Sequence, residues 1–350
     1  MANYTLYVGS FYNSDKAPIY RFDFDSESGS ALLREEYRDY RPAWLCTSED
    51  GKRIFFVREA ESIGGIYGGG IGCFTEGMQS PALLGIGAAG PCHACERDGN
   101  IFIACYSGSA LVQAKWLGDS FSPEVRIIHR EGGSVNPTRQ DRSHPHFSFF
   151  TPDGGYLGVC DLGLDKILLY PYSKETGALG EPILHSVPDG RGPRHAVFSA
   201  DGRRLYVITE MGGTVLTYEY DGRGGLKLLS ELPIMLQGEI DGEPQSAAIR
   251  ISPDGGELMA TERRTGDMVF YSVDERGELT REGAIATGDF PRDAIFSPDG
   301  RWIVTACQGD DTVGIYSYSS DKSIPLSDRV KLKTVINLPK DSAPCALLFV

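Results

Sequence analysis

A chain of 350 residues is long enough for a full hydrophobic core and, by length alone, for two or three domains. Its formal net charge of −14 argues against a surface that tracks nucleic-acid phosphates or an anionic membrane. No segment approaches the roughly 20 consecutive apolar residues that cross a bilayer as a helix.

At the N-terminus, the run Met1-Ala2-Asn3-Tyr4-Thr5-Leu6-Tyr7-Val8 has no charged stretch leading into an apolar one, so a cytoplasmic location is expected. The eight cysteines then read as reduced thiols, with Cys105, Cys160 and Cys307 packed near strand ends. Glycine (43) and proline (20) are plentiful, and short Tyr-, Phe-, Val- and Thr-rich runs replace any long 3.6-residue apolar period. The pattern predicts an all-β chain.

Six segments then carry a turn ending in Asp-Gly between two apolar runs: Asp50-Gly51, Asp98-Gly99, Asp153-Gly154, Asp201-Gly202, Asp254-Gly255 and Asp299-Gly300. The glycines lie 48, 55, 48, 53 and 45 residues apart. Asp-Gly suits a tight hairpin, because glycine accepts positive φ and aspartate bonds its own backbone. A proline opens the run before each turn, at Pro42, Pro91, Pro145, Pro193, Pro244 and Pro291, and a seventh time at Pro344, where the chain stops after Val350. The missing partner strand is found at the other end, in Tyr4-Thr5-Leu6-Tyr7-Val8-Gly9-Ser10, which resembles Arg204-Leu205-Tyr206-Val207-Ile208-Thr209-Glu210. The prediction is one domain over residues 1–350: a seven-bladed β-propeller closed by N- and C-terminal strands in one blade, with residues 346–350 paired to residues 5–8. Closure leaves no bare sheet edge at the junction.

In such a ring, the start of each inner strand and the end of its hairpin partner share the mouth of the channel opposite the turns. The residues after the prolines are Ala43, Cys92, His146, Arg194, Gln245, Arg292 and Cys345. Eight residues after the turn glycines come Glu59, Leu162, Glu210, Arg263 and Gln308, with Tyr106 at seven in the shorter second repeat. A purely structural repeat would carry like residues at like positions; these vary and many are polar. A ring of salt bridges between blades would account for some of them, and a ligand site for the rest.

These residues carry a resemblance. Gly90-Pro91-Cys92-His93-Ala94, Asn136-Pro137-Thr138-Arg139-Gln140, His144-Pro145-His146, Asp161-Leu162-Gly163-Leu164-Asp165, Gly192-Pro193-Arg194-His195, Thr209-Glu210, Arg263 and Pro291-Arg292 with Gln308 follow in the order and spacing of the seven-bladed lactonase family. That family includes propeller-type 6-phosphogluconolactonases and the fungal 3-carboxy-cis,cis-muconate lactonizing enzyme. The resemblance implies a catalytic histidine and glutamate at His146 and Glu210, and substrate-binding arginines at Arg194 and Arg263. Glu262-Arg263 replaces the family's more usual Asn-Arg, and Ala306-Cys307-Gln308 its Ala-Asn-Gln.

The expected reaction is hydrolysis of a small anionic sugar-acid lactone, 6-phosphogluconolactone first, without metal or other cofactor. Glu210 would act as base, His146 as acid or water-orienting group, and Arg194 as support for the oxyanion. Arg263, Arg292 and Arg139 would bind anionic groups, and Gln308, His93 and Asp161 complete the candidate set. The alternatives are a muconate-type cycloisomerase and a non-catalytic propeller that binds a ligand or protein. Cys92-x-x-Cys95 lacks a second pair at zinc-site spacing and reads as packing. No Gly-x-Ser-x-Gly elbow occurs. The glycine-rich stretch 64–72 reads as a flexible surface connection, and His195 is expected to point into inter-blade packing.

Overall fold

Short apolar runs punctuated by turn residues fold into seven four-stranded antiparallel sheets in the computed structural model, which describes residues 3–11, 17–74, 78, 80–235 and 242–350. The inner strands are Pro344–Phe349, Leu45–Thr47, Pro91–Arg97, Pro145–Phe150, Pro193–Phe198, Ser246–Ile251 and Pro291–Phe296. They head the first to seventh blades in that order. Each packs against the next, and Pro291–Phe296 against Pro344–Phe349, which closes the ring. In the first blade Asn3–Ser10 pairs with Pro344–Phe349, in the register Leu6↔Phe349, Tyr7↔Leu348 and Val8↔Leu347. Residues Thr5 and Val350 exchange two further backbone hydrogen bonds, at 2.8 and 2.9 Å.

The core lies between blades. Leu6, Val8, Phe22 and Phe24 of the first blade, for example, interlock with Trp302, Val304 and Ile315 of the seventh. The Trp302 indole donates to the Ser26 carbonyl at 2.8 Å across that junction.

The Asp-Gly turns are of two kinds. Arg97↔Asn100 pair directly, and Asp98 (φ 52°) and Gly99 (φ 75°) both take positive φ, as a two-residue hairpin turn requires. The other five are longer. A Ser or Thr hydroxyl donates to the Asp carboxylate, as from Ser297 to Asp299 at 2.6 Å, and only the glycine turns left-handed. The stretch 64–72, expected to be a flexible connection, instead completes an extra two-stranded hairpin, Ser62–Ile63 with Ile66–Tyr67. Its turn glycines, Gly64 and Gly65, have φ of 57° and 81°.

At the start of the inner strands the ladder slips. In five blades the residue after the proline is left out of the pairing: Cys92, His146, Arg194, Arg292 and Cys345. A β-bulge of this kind re-aims the side chain of the unpaired residue. Here it does so at one mouth of the ring.

Deleting residues 345–350 removes most of the closing strand and exposes the edge of Asn3–Ser10. The truncated chain is expected to aggregate or to lose its sharp thermal transition by circular dichroism. A soluble truncation that melts as cooperatively as the full chain would contradict closure as the source of stability.

Candidate active site

Three of the bulged residues, Cys92, His146 and Arg292, and residues that follow the second strands line a cavity of about 390 Å³. Its walls include His146, Glu210, Arg139, Arg263, Arg292, Glu59, Cys92, Gln245, Tyr106 and Phe11. Five of the sequence-predicted residues therefore meet there: His146, Glu210, Arg139, Arg263 and Arg292.

Glu210 is the hub. Its side chain is 7% exposed. One carboxylate oxygen accepts from Arg139 Nη2 at 2.5 Å. The other accepts from Arg194 Nε at 2.8 Å and lies 3.1 Å from Arg263 Nη2. Burial alone would raise its pKa; Arg263, Arg194 and Arg139 together overturn that and hold the carboxyl well below the usual range. Glu210, expected as the base, is thus a carboxylate held ionised by the guanidiniums around it.

Arg194 sits behind Glu210 rather than in the cavity wall, only 2% exposed. It also donates to the Ala247 carbonyl at 2.8 Å and lies 3.0 Å from His195 Nε2. Burial, followed by the neighbouring Arg263, brings its pKa down to about 9, so it stays charged at neutral pH. For Arg139, burial is outweighed by the Glu210 carboxylate, and its pKa rises.

Arg292 is different. It donates to Gln308 Oε1 at 3.3 Å and lies over the Phe11 ring at 4.7 Å, and among the described residues it has no carboxylate partner. Gln308 thus touches the site through Arg292 and does not line the cavity itself. Glu59 is occupied by Arg41 at 3.4 Å.

His146 makes no side-chain hydrogen bond among the described residues, and its Nδ1 is buried without a partner. Burial, then the positive charge of Arg194, holds its pKa well below the usual histidine value, so the ring is neutral at pH 7. Cys92 also lines the wall, but burial pushes its thiol up to about 12, which leaves almost no thiolate at neutral pH.

Two candidates lie elsewhere. His93 is wedged in the channel between Trp44 and Phe147, with ring centroids 4.2 and 3.9 Å away. Its Nδ1 accepts from the Ser148 backbone N–H at 3.1 Å, so it is a packed, neutral histidine outside the cavity wall. Asp161 is 1% exposed and accepts from Ser143 Oγ at 2.5 Å, from the His144 N–H at 2.8 Å and from the Leu164 N–H at 3.1 Å. It fixes the loop that leads into His146 and never reaches the cavity. His195 does pack between blades, with its ring 4.6 Å from Phe147, although it also meets Arg194.

Phe11 was missed, for a reason that the pairing exposes. Ser10 pairs with Pro344 as Thr209 pairs with Pro193, so Phe11, not Ser10, occupies the position of Glu210. The apolar letters alone align the N-terminal strand one residue off. The sixth blade hides a similar shift. Ser246 there pairs with Glu262 as Pro193 does with Thr209, which puts Ala247, not Gln245, in the place of Arg194. Among the described residues no cluster of three or more His, Cys, Asp or Glu could hold a metal ion.

A closed seven-bladed ring with a charged mouth and a cavity of small-ligand size there defines a class: propellers with a small-molecule site at the channel opening. The chain belongs to the lactonase family of seven-bladed β-propellers, whose profile, described as "Lactonase, 7-bladed beta-propeller", matches residues 5–331. It is similar to the 6-phosphogluconolactonase of Bacillus subtilis, 27% identical over 92% of this chain and 93% of that one. Among solved structures it resembles a candidate 6-phosphogluconolactonase of Bacteroides fragilis, with TM-score 0.87, 27% identity and coverage of 99% and 98%. It also resembles the periplasmic gluconolactonase of Pseudomonas aeruginosa, with TM-score 0.87, 26% identity and coverage of 100% and 99%. The protein is accordingly an enzyme of the lactonase class.

His93, His146 and His195 all have pKa values held well below 6.5, in each case chiefly by burial, and half-buried His185 shifts the same way. In the unfolded chain each takes up a proton near pH 6.5. Because the unfolded state then binds more protons than the folded one, stability is full above that pH and is lost as pH falls below it. Asp161 and Asp293, raised by burial, act oppositely nearer the carboxylate range. The melting temperature is expected to fall between pH 7.5 and pH 5.5, and less so in His93→Gln. A melting temperature that is flat or rising toward pH 5.5 would show that these rings are not held neutral.

Proposed function

We propose that the enzyme hydrolyses a sugar-acid lactone bearing a remote anionic group, 6-phosphogluconolactone being the best fit, with His146 as general base. The observation that carries this reading is the pairing of two features in one cavity: a neutral imidazole without a hydrogen-bond partner, and a guanidinium, Arg292, without a carboxylate among the described residues.

The lactone is a cyclic ester. His146 takes a proton from water as the water oxygen bonds to the carbonyl carbon, and the carbonyl oxygen becomes an oxyanion. Arg263 and Arg139, fixed by Glu210, supply positive charge for it with little reorganisation. The oxyanion then collapses, the bond from carbon to the ring oxygen breaks, and the His146 imidazolium returns its proton to that oxygen. The product is the open hydroxy acid, released as its carboxylate and a proton. Glu210 serves as the anchor of the guanidiniums.

Arg292 grips the remote anion, and phosphate suits it because the guanidinium fork matches phosphate oxygens. A muconate-type polyacid fits less well. It would need several uncommitted cations, and Arg139, Arg194 and Arg263 already share Glu210.

The test compares 6-phosphoglucono-δ-lactone with glucono-δ-lactone. Arg292→Ala is expected to raise KM for the phosphorylated lactone by about tenfold to a hundredfold, the scale of about 1.5–3 kcal/mol for a lost charged hydrogen bond, and to leave the plain lactone almost unchanged. His146→Gln should lower kcat on both by on the order of 10²-fold or more. Equal losses on both substrates in Arg292→Ala would remove the phosphate assignment. Near-normal turnover in His146→Gln would move the base elsewhere.

A further inference from the structure

The second blade departs from the repeat beside the cavity. Between second and third strands, the third to seventh blades use four residues: 106–109, 162–165, 210–213, 263–266 and 308–311. The second blade uses residues 59–69 and folds them into the extra hairpin Ser62–Ile63 with Ile66–Tyr67. Glycines let this hairpin lie down on its blade. A Cβ on Gly70 would meet the Ile63 side chain at 2.2 Å, and one on Gly68 would meet the Ala88 backbone at 2.7 Å.

The hairpin walls a second cavity of about 400 Å³, lined by Tyr40, Arg41, Glu59, Glu61 and Tyr67 among others. It shares Glu59, Gly90 and Ser107 with the main cavity, so the two adjoin. Each is on the scale that holds a small ligand, about 300–1,000 Å³. Tyr67 is 72% exposed, and Tyr40 is 38% exposed with the Arg58 guanidinium 5.7 Å from its ring centroid, so both offer ring surface at the rim. The charge differs from that of the main site. Two carboxylates face one guanidinium, and Arg41 is paired to Glu59. A second phosphate would be repelled. A neutral, hydroxyl-rich group fits: carboxylates accept from hydroxyls, and tyrosine offers an apolar ring face with a polar tip.

We propose that Tyr40, Tyr67, Glu59 and Glu61 form a subsite for a neutral sugar ring, so that the enzyme accepts lactones of glycosylated aldonic acids, with the lactone in the main cavity and the second sugar beside it. The proposal rests on the lactonase reading above, but not on the phosphate grip. The test uses two unphosphorylated substrates, glucono-δ-lactone and lactobiono-δ-lactone. The disaccharide lactone is expected to show a kcat/KM about tenfold higher. Tyr67→Ala should remove about that factor for the disaccharide alone, the scale of one lost aromatic contact. No preference for the disaccharide, or equal losses on both substrates, would overturn the subsite. If neither lactone is hydrolysed, turnover of 6-phosphoglucono-δ-lactone tests the lactonase reading separately, and calorimetric titration with lactobionate and gluconate decides the subsite. Tighter binding of lactobionate that Tyr67→Ala abolishes would support it, and equal binding of the two acids would overturn it.

Discussion

A single carboxylate lets the channel mouth hold its arginines. Glu210 meets Arg139 from the loop before the fourth blade, Arg194 of the fifth and Arg263 of the sixth. Three buried or half-buried guanidiniums so close together would repel one another strongly without it. The hub therefore ties neighbouring blades together and fixes a positive field at the mouth, which the proposed reaction uses for an ester oxyanion. It also divides the chemistry. In the proposed reaction a carboxylate so loaded stays ionised, the basic role falls to the neutral ring of His146, and Arg292, outside the hub, is left for the substrate.

The fold delivers these groups by a repeated device. In five blades the slip after the proline turns one side chain out of the ladder at the mouth, and residues that follow the second strands add to them. Deeper in the channel, Trp44, His93, Phe147 and His195 form an aromatic layer beneath His146. Beyond it, on the turn side, strands from all seven blades line a separate and more apolar recess of about 620 Å³. Burial above this layer, with the charge of Arg194, keeps the His146 imidazole neutral.

The architecture was legible because its signals are local. Turn chemistry at Asp-Gly and the proline before each inner strand recur at blade spacing, and the unmatched halves at the two termini imply closure. Much of the site was legible too, because polar variety at repeat-equivalent positions marked His146, Glu210, Arg263 and Arg292. What sequence could not supply was direction and partnership. Arg194 and Arg292 occupy equivalent positions, yet one backs Glu210 and the other stays uncommitted. His93 and Asp161 sit beside site residues in sequence, but packing against Trp44 and a set of backbone donors turn them away from the cavity. Phe11 was hidden because only strand pairing distinguishes two apolar alignments one residue apart. The rim hairpin was hidden because a glycine-rich stretch reads as loose until the surfaces it must approach are known.

The division of roles between Glu210 and His146 is the centre of this account, and it can be read directly. Selective ¹³C labelling of glutamate carboxyls, with Glu210 assigned by its absence in Glu210→Gln, permits a titration of that one group by nuclear magnetic resonance. The carboxyl is expected to remain ionised from neutral pH down through the ordinary carboxylate range, without a midpoint above it. A midpoint displaced upward toward neutrality would mark Glu210 as the proton acceptor and contradict the account.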